Sequence, residues 1–292
     1  MTDKIFTLPV KEQITATVSL RQLDQLPVVV VEHPKARAAV TLQGAHLLAW
    51  QPAGDQPVIW LSGNTPFKEG VAIRGGVPVC WPWFGPAAQP PHGFARLLPW
   101  EFTAHEENED GVKLTFTLTD SDATRQHWPH AFKLIARFTL GEECKFELES
   151  QGDFEARSAL HTYFEVGDIA TISIRGLGSH YIDKVLDGIT AEHSGDLVFT
   201  GRTDRIYTQP ESHSVITDPT LKRTIEVEHH NNRDVVAWNP DAELSRNMAD
   251  MPDDGYKTMV CVETAYVTEP VISKAGAPAK MAMVIRSRKL RG

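Results

Sequence analysis

Short segments that alternate apolar and polar residues, or that are rich in valine and threonine, run through most of this 292-residue chain and limit what it can fold into. In the segment 112–118, apolar side chains at every second position alternate with lysine and threonine. A period of two places the apolar side chains on one buried face of a strand. Such segments recur about every 8 to 12 residues with almost no long helical pattern between them, which predicts an all-β fold, a large antiparallel sandwich or barrel with few short helices.

The predicted strands are spread along the whole sequence, and no composition break, linker or short repeat divides it. We therefore predict a single domain over residues 1–292, since all-β domains often reach about 250 residues. Two short segments, 120–127 and 241–249, are the predicted helices. Strands are predicted over 15–20, 27–32, 36–42, 45–51, 57–61, 112–118, 131–140, 144–150, 157–166, 214–217, 224–229, 235–238, 258–266 and 282–288.

Charge and composition exclude several classes of protein. The formal net charge is −9 and no long basic run occurs, so we do not expect nucleic-acid binding. No apolar run approaches the ~20 residues of a membrane helix, and residues 1–13 lack the apolar core of a signal peptide, so we expect a cytoplasmic protein without a membrane partner. The three cysteines are scattered without CxxC spacing, which argues against a disulfide framework and a zinc knuckle.

Residues 73–96 form the segment whose composition a purely structural role explains least well. Glycines and prolines break up any long helix or central strand, and Trp81, Trp83 and Phe84 stand among Arg74, His92 and Arg96. We predict a rigid, irregular loop whose aromatic faces and guanidinium groups suit a ligand with apolar and anionic parts. The alternative is a hairpin whose tryptophans cap the core and whose arginines are solvated.

Two later strands supply candidate acid–base groups. In 157–166 the even-numbered residues form the core face, whereas the odd-numbered ones, His161 among them, form a polar and aromatic face toward a cavity or water. In 258–266, Glu263 directly follows apolar residues, and burial would raise its pKa toward the range of a general base. The alternatives are a hydrogen-bonded histidine of the core or surface and a carboxylate on an edge strand.

Other site chemistries find little support in the sequence. The histidine pairs 127/130 and 229/230 lack the His-x-His with a nearby Glu that is typical of cupin metal sites, so we expect no metal. No Gly-x-Ser-x-Gly elbow indicates a serine nucleophile. The segment beginning at Ile73 lacks the Gly-Lys-Ser/Thr ending of a phosphate loop, so any phosphate contacts would come from arginines acting as bidentate forks.

Together these segments resemble the successive motifs of the aldose 1-epimerase superfamily, and more narrowly its glucose-6-phosphate 1-epimerase branch. The motifs occur in the family's order and span residues 74–263. They are Arg74-Gly-Gly-Val-Pro-Val-Cys-Trp-Pro-Trp-Phe-Gly, His92-Gly-Phe-Ala-Arg96, Ala159-Leu-His-Thr-Tyr-Phe, Thr203-Asp-Arg-Ile-Tyr and Val260-Cys-Val-Glu263.

The resemblance implies a galactose mutarotase-like β-supersandwich with the ligand in a cleft on one sheet. By motif match, His161 corresponds to the general acid and Glu263 to the general base. The positions that match substrate contacts are Arg74, His92, Arg96 and Asp204. Pro91 departs from the pattern, because some members carry a glutamine there that contacts the sugar.

The resemblance further implies interconversion of the α and β anomers of a hexose 6-phosphate, most simply D-glucose 6-phosphate, by a cytoplasmic monomer that needs no cofactor or metal. Ring opening and reclosure by a proton-donating and a proton-accepting side chain suffices for this reaction. Two alternatives stay open at this point. One is a non-catalytic carbohydrate-binding sandwich, and the other is a metal-dependent phosphosugar isomerase.

Overall fold

The computed structural model describes residues 2–291, which are mostly β-strand. Three short α-helices and three 3-10 helices are found in this part of the chain, and no helix in it is long and apolar enough to cross a membrane. The α-helices are α1 (Asp3–Phe6), α2 (Asp122–His127) and α3 (Asp241–Asn247), and the 3-10 helices are Gly85–Ala87, Ala95–Leu97 and Gly255–Thr258.

The strands in chain order are β1 (Val10–Gln13), β2 (Val18–Leu23), β3 (Leu26–His33), β4 (Ala36–Thr41), β5 (His46–Pro52), β6 (Val79–Cys80), β7 (Glu101–Asn108), β8 (Gly111–Thr119), β9 (Lys133–Gly141), β10 (Cys144–Gln151), β11 (Phe154–Leu160), β12 (Tyr163–Glu165), β13 (Ser173–Arg175), β14 (His180–Asp183), β15 (Ile189–Glu192), β16 (Leu197–Val198), β17 (Thr203–Tyr207), β18 (His213–Asp218), β19 (Arg223–His230), β20 (Asp234–Asn239), β21 (Met259–Ser273) and β22 (Ala279–Lys289).

These strands form three antiparallel sheets. The first five strands make a meander in sequence order. A nine-stranded sheet has the order β16-β13-β18-β19-β22-β10-β9-β8-β7. An eight-stranded sheet has the order β15-β14-β17-β20-β21-β11-β6, with β12 also paired to β21. The antiparallel, strand-dominated architecture confirms the predicted fold class.

The main core lies between the sheets, where one apolar cluster joins side chains of all three. Trp50 of the five-stranded sheet is fully buried and donates its indole N–H to the carbonyl of Gly141 in β9 at 3.1 Å. His229 of β19 is hydrogen-bonded through Nδ1 to Thr264 Oγ1 of β21 at 2.7 Å, which joins the nine- and eight-stranded sheets across the core. The opposite face of the eight-stranded sheet is therefore free to build a pocket.

Some predicted elements differ from the structure for identifiable reasons. Residues 57–61 form no strand and make only the isolated bridges of Ile59 with Phe164 and Leu61 with Gly75. The strand predicted over 157–166 is interrupted at residues 161 and 162, between β11 and β12. Residues 73–96 are irregular as predicted, with the two-residue β6 as the one strand of that segment.

Candidate active site

A pocket of about 190 Å³ lies on the face of the eight-stranded sheet that points away from the main core. Five of the six residues implied by the motif resemblance line it, namely Arg74, His92, His161, Asp204 and Glu263. The remaining lining residues are Phe84, Gly85, Pro86, Lys184, Val236 and Trp238. A larger groove of about 550 Å³ beside β8 and β9 has five acidic residues among its twelve lining residues but no histidine, so it offers no comparable acid–base pair.

Strand register brings the carboxylates and the aromatic wall together. Asp204 on β17 lies opposite Trp238 on β20, and Val236 on β20 lies opposite Glu263 on β21. Because side chains alternate along a strand, residues two apart share the pocket face. His161 follows the last residue of β11 directly, so its strand neighbour β21 places Glu263 beside it.

The central feature of the pocket is the pair His161 and Glu263. His161 Nε2 lies 3.7 Å from Glu263 Oε2, and the two residues are 9% and 1% exposed. Burial raises the pKa of Glu263 well above its ordinary value, Asp204 raises it further, and Lys184 opposes the shift. Burial lowers the pKa of His161 well below its ordinary value, and the neighbouring His92, Arg96 and Arg74 lower it further.

The pair is thus driven toward neutral carboxylic acid and neutral imidazole. The expected rise of the Glu263 pKa is found, whereas the His161 pKa moves away from neutrality because burial disfavours the charged form of each group. His161 Nδ1 and Glu263 Oε1 are buried and have no hydrogen-bond partner among residues 2–291. Neither atom is therefore committed to another hydrogen bond within this part of the chain.

His92 stands next to this pair with a defined tautomer. Its ring is 5.6 Å from the His161 ring and perpendicular to it, and 5.0 Å from Phe84. The Gly85 backbone N–H donates to His92 Nδ1 at 3.1 Å, so in the neutral ring the proton is on Nε2. Burial, followed by the charges of Arg96, Arg74 and Lys184, lowers the pKa of His92 to about 3. His92 is consequently a neutral N–H donor.

Arg74 is fixed by a turn and by two side-chain partners. Its Nε donates to Asp250 Oδ1 and its Nη1 to the Tyr163 hydroxyl, both at 3.1 Å. The following Gly75 and Gly76 have φ of 115° and 64°, a conformation that glycine adopts freely. Gly76 N donates to Trp60 O at 2.7 Å, which locks the turn.

The remaining predicted residues divide between the pocket and its surroundings. Burial raises the pKa of Asp204, and the nearby Lys184 and Arg202 oppose this. Arg96 is not a lining residue; its Nη2 donates to Pro91 O at 3.1 Å, and its charge acts on His92 and His161 from outside the lining. Pro91 itself does not line the pocket.

The aromatic residues of the loop have separate positions. Trp81 is fully buried in the main core, and Trp83 stacks on Phe94 at 5.8 Å. Phe84 alone of the three lines the pocket. Of the two tryptophans that the alternative interpretation placed against the core, only Trp81 belongs to the main core, whereas Trp83 is half-buried.

Sequence reasoning missed Lys184, Trp238 and Val236. Lys184 follows β14 at the start of an exposed turn, so its strand gives no sign that the ammonium group reaches a pocket. Trp238 lies on β20, a strand that was predicted, and a large aromatic residue near its end was the available signal. Within the described residues, no group of three or more His, Cys, Asp or Glu side chains is arranged to hold a metal ion.

Comparison with known proteins gives consistent matches over nearly the whole chain. The sequence model of the family described as Aldose 1-epimerase matches residues 27–286. A proposed glucose-6-phosphate 1-epimerase of Salmonella typhimurium is 56% identical over 291 residues, which are 98% of each chain. A protein of Escherichia coli K12 with the same name is 56% identical over 293 residues, or 99% of this chain and 100% of that one.

Solved structures of similar proteins have the same fold as this chain. The crystal structure of YeaD from Salmonella typhimurium, a proposed mutarotase, matches with a TM-score of 0.98 at 56% identity and covers 99% of each chain. A proposed aldose 1-epimerase of Escherichia coli K12 has a TM-score of 0.72 at 13% identity, over 91% of this chain and 100% of that one, which shows a shared fold.

Proposed function

The chain belongs to the aldose 1-epimerase family, and we propose that it interconverts the α and β anomers of a hexose 6-phosphate, with D-glucose 6-phosphate as its main substrate. The observation on which the mechanism rests is the close pair His161 and Glu263, 3.7 Å apart at the floor of a pocket. The relatives' names support the phosphorylated substrate.

His161 acts as general acid and Glu263 as general base in this mechanism. Glu263 takes the proton of the C1 hydroxyl while His161 gives a proton to the ring oxygen, the bond between C1 and the ring oxygen breaks, and the free aldehyde forms. Rotation about the C1–C2 bond presents the other face of the carbonyl. Reversal of both proton transfers then closes the opposite anomer, so the pair begins and ends with the same single proton.

The opposite pKa directions of the two groups fit this proton count. Burial favours the carboxylic acid and the neutral imidazole, which is the arrangement that accompanies the open-chain aldehyde. Cyclic sugar needs the carboxylate and the imidazolium, and at a separation of 3.7 Å these opposite charges attract each other. Hydrogen bonds from the sugar hydroxyl to the carboxylate then stabilise the ionised form.

The other pocket residues bind the substrate. Arg74 and Lys184 are the cations that line the pocket, and they attract the phosphate, whereas Arg96 adds its charge from beside His92. Asp204 accepts hydrogen bonds from sugar hydroxyls and His92 Nε2 donates one. Because the chain carries a net charge of −9, this local placement has to overcome an unfavourable overall field.

The size of the pocket supports a small substrate. Its volume of about 190 Å³ is below the ~300–1,000 Å³ of drug-sized sites, which suits a monosaccharide. We further propose that the protein is a monomer made of a single domain. We place the enzyme in the cytoplasm, where sugar phosphates occur, and expect no nucleic-acid or membrane partner.

Anomer-resolved exchange NMR or polarimetry on glucose, galactose and mannose 6-phosphates and on free glucose tests this function. We expect wild-type turnover of glucose 6-phosphate, unaffected by a chelator. His161→Ala and Glu263→Gln should each lower kcat by about 10²–10⁴-fold with the fold retained, because each removes one proton-transfer group.

Glu165→Gln is the matched control. Glu165 is also a largely buried carboxyl, with a pKa raised to about 7 by burial, but it does not line the pocket. Its turnover should equal that of the wild type. Near-normal rates in Glu263→Gln would contradict the assignment of the base, sugar binding without turnover would favour a carbohydrate-binding protein, and loss of activity on chelation would favour a metal-dependent isomerase.

A further inference from the structure

We propose that Tyr163 is a positioning residue that holds the substrate-binding Arg74 and the acid His161 in one fixed arrangement. This inference rests on the proposed function. Tyr163 is the first residue of β12, is 2% exposed and does not line the pocket. Its effect on the reaction would therefore pass through the pocket residues that it touches, Arg74 and His161 above all.

The first contact is with the arginine. Arg74 Nη1 donates to the Tyr163 hydroxyl at 3.1 Å, while Arg74 Nε donates to Asp250 Oδ1 at the same distance. A guanidinium has five N–H donors in a planar fork, and two partners at different nitrogens fix the orientation of that plane. The donors that remain can then face an anion at a fixed angle.

The second contact is with the histidine. The ring of Tyr163 stacks on the His161 ring with a centroid distance of 5.1 Å and an angle of 19°. Trp60 stacks on Tyr163 at 5.7 Å and 20°, so Tyr163 is the middle ring of a three-ring stack. Trp238 meets both His161 and Tyr163 edge-on, at 5.9 Å and 6.0 Å. These contacts determine the plane of the His161 ring.

The backbone of Tyr163 joins the same segments. Its N–H donates to Gly76 O at 2.9 Å, and its carbonyl accepts from Trp60 N at 3.0 Å. On its other side it pairs with Cys261 of β21. Gly76 is two residues from Arg74 and Cys261 is two residues from Glu263, so one tyrosine fixes the relative positions of the arginine, the acid and the base.

Tyr163 is not an alternative acid in this arrangement. Burial raises the pKa of its phenol above the ordinary value, and the ring is hidden beneath His161. A phenol of this kind stays protonated and uncharged across the physiological range. It accepts a hydrogen bond from Arg74 but adds no negative charge that would neutralise the arginine or repel an anionic substrate.

Two substitutions separate the two contacts. Tyr163→Phe keeps the stacked ring and removes the hydroxyl, so we expect about a tenfold rise in KM and in Kd for glucose 6-phosphate, with kcat and the KM for free glucose within about twofold of wild type. Tyr163→Leu also removes the stack, and we expect kcat to fall by a further tenfold or more, a loss that the Phe variant does not show.

Tyr207→Phe is the matched control. Tyr207 is also 2% exposed, and its hydroxyl accepts from Arg205 Nη1 at 3.2 Å, but neither residue lines the pocket. Steady-state kinetics and calorimetric titration of glucose 6-phosphate should be unchanged in this variant.

The outcomes separate failure of the role proposed for Tyr163 from failure of the proposed function. Wild-type KM and Kd in Tyr163→Phe, or an equal rise in Tyr207→Phe, would overturn the proposal, and the Phe variant alone decides if Tyr163→Leu does not fold. If the wild type binds glucose 6-phosphate without turning it over, the proposed function fails while the change in Kd still tests Tyr163. A wild type that does neither overturns both.

Discussion

Burial favours the neutral form of the two carboxyl groups and the two histidines at the floor of the pocket. It raises the pKa of Glu263 and of Asp204, and it lowers the pKa of His161 well below its ordinary value and that of His92 to about 3. Arginine keeps its charge at any physiological pH. We therefore propose that the fixed positive charge of Arg74, with that of Lys184 beside the two carboxyls, distinguishes a phosphorylated sugar from a free one.

Lys184→Met tests this distinction at one residue. Losing a charge-assisted contact to phosphate should raise the KM for glucose 6-phosphate about tenfold or more and leave the KM for free glucose nearly unchanged. Lys274→Met, an exposed lysine in the turn after β21, is the control and should behave as the wild type. Equal rises for both sugars in Lys184→Met would show that the lysine contacts the sugar ring or supports the turn.

Among the elements, the strands that the sequence predicts have at least one buried face. β8 and β19 alternate buried and less buried residues, and both were predicted nearly to their ends. β7 was missed because seven of its eight residues are exposed, so only its backbone pairing with β8 defines it as a strand. The short strands β13–β17, of two to five residues, are too brief to show a period.

The residues of the pocket likewise include some that the sequence predicts and some that it does not. His161 and Glu263 could be predicted as pocket residues because each is an ionisable side chain in a predicted strand rich in apolar residues, and the motif order supplied their expected roles. Lys184 could not, since its place in the pocket depends on the pairing of β14 with β17 and on the course of the turn that follows. The motif assigned Arg96 to the substrate contacts, whereas the structure places it outside the pocket lining.

The Gly75–Gly76 turn is the element that sets the position of Arg74, and Gly76→Ala tests it. A Cβ on Gly76 would lie 2.3 Å from Leu47 O and 2.7 Å from His46 Nε2, so the turn has to move. We expect a loss of about 3 kcal/mol or more in the free energy of unfolding, from this overlap and from the left-handed φ of 64°. The KM for glucose 6-phosphate should rise as Arg74 shifts.

Gly70→Ala controls for the backbone conformation. Gly70 has φ of 75° with open space around it, so its substitution should cost only the ~1–2 kcal/mol of the left-handed conformation and leave kinetics unchanged. Urea unfolding and steady-state kinetics on both variants give the comparison. Equal losses of stability would show that the close approach to Leu47 relaxes without cost.

For the molecule as a whole, stability depends on polar groups buried between the sheets as well as on the apolar cluster. His229 is 4% exposed, with Nε2 bonded to Ser214 Oγ at 2.8 Å and Nδ1 to Thr264 Oγ1 at 2.7 Å. Thr264 is the neighbour of Glu263, and its side chain points to the core while that of Glu263 points to the pocket. This bridge links the sheet that builds the site to the sheet that supports it.

The bridge predicts how stability changes with pH. Burial lowers the pKa of His229 from 6.5 to about 3, so between these values the unfolded chain binds a proton that the folded chain does not. Stability is consequently lost as the pH falls from 6.5, by about 2 kcal/mol from this one residue between pH 7 and pH 5. Urea unfolding of wild type and His229→Gln at both pH values should show a loss about 2 kcal/mol smaller in the variant.

His230→Gln is the control, because His230 is next in sequence but half exposed and paired with Glu228 on the outer face of the sheet. It should lose as much stability on acidification as the wild type. Fluorescence and circular dichroism should report one coincident transition in each case, because the sheets share one core. If the wild type and His229→Gln lost stability equally, the proton uptake would have to come from other buried histidines such as His46 and His92, whose pKa values burial lowers to about 4 and about 3.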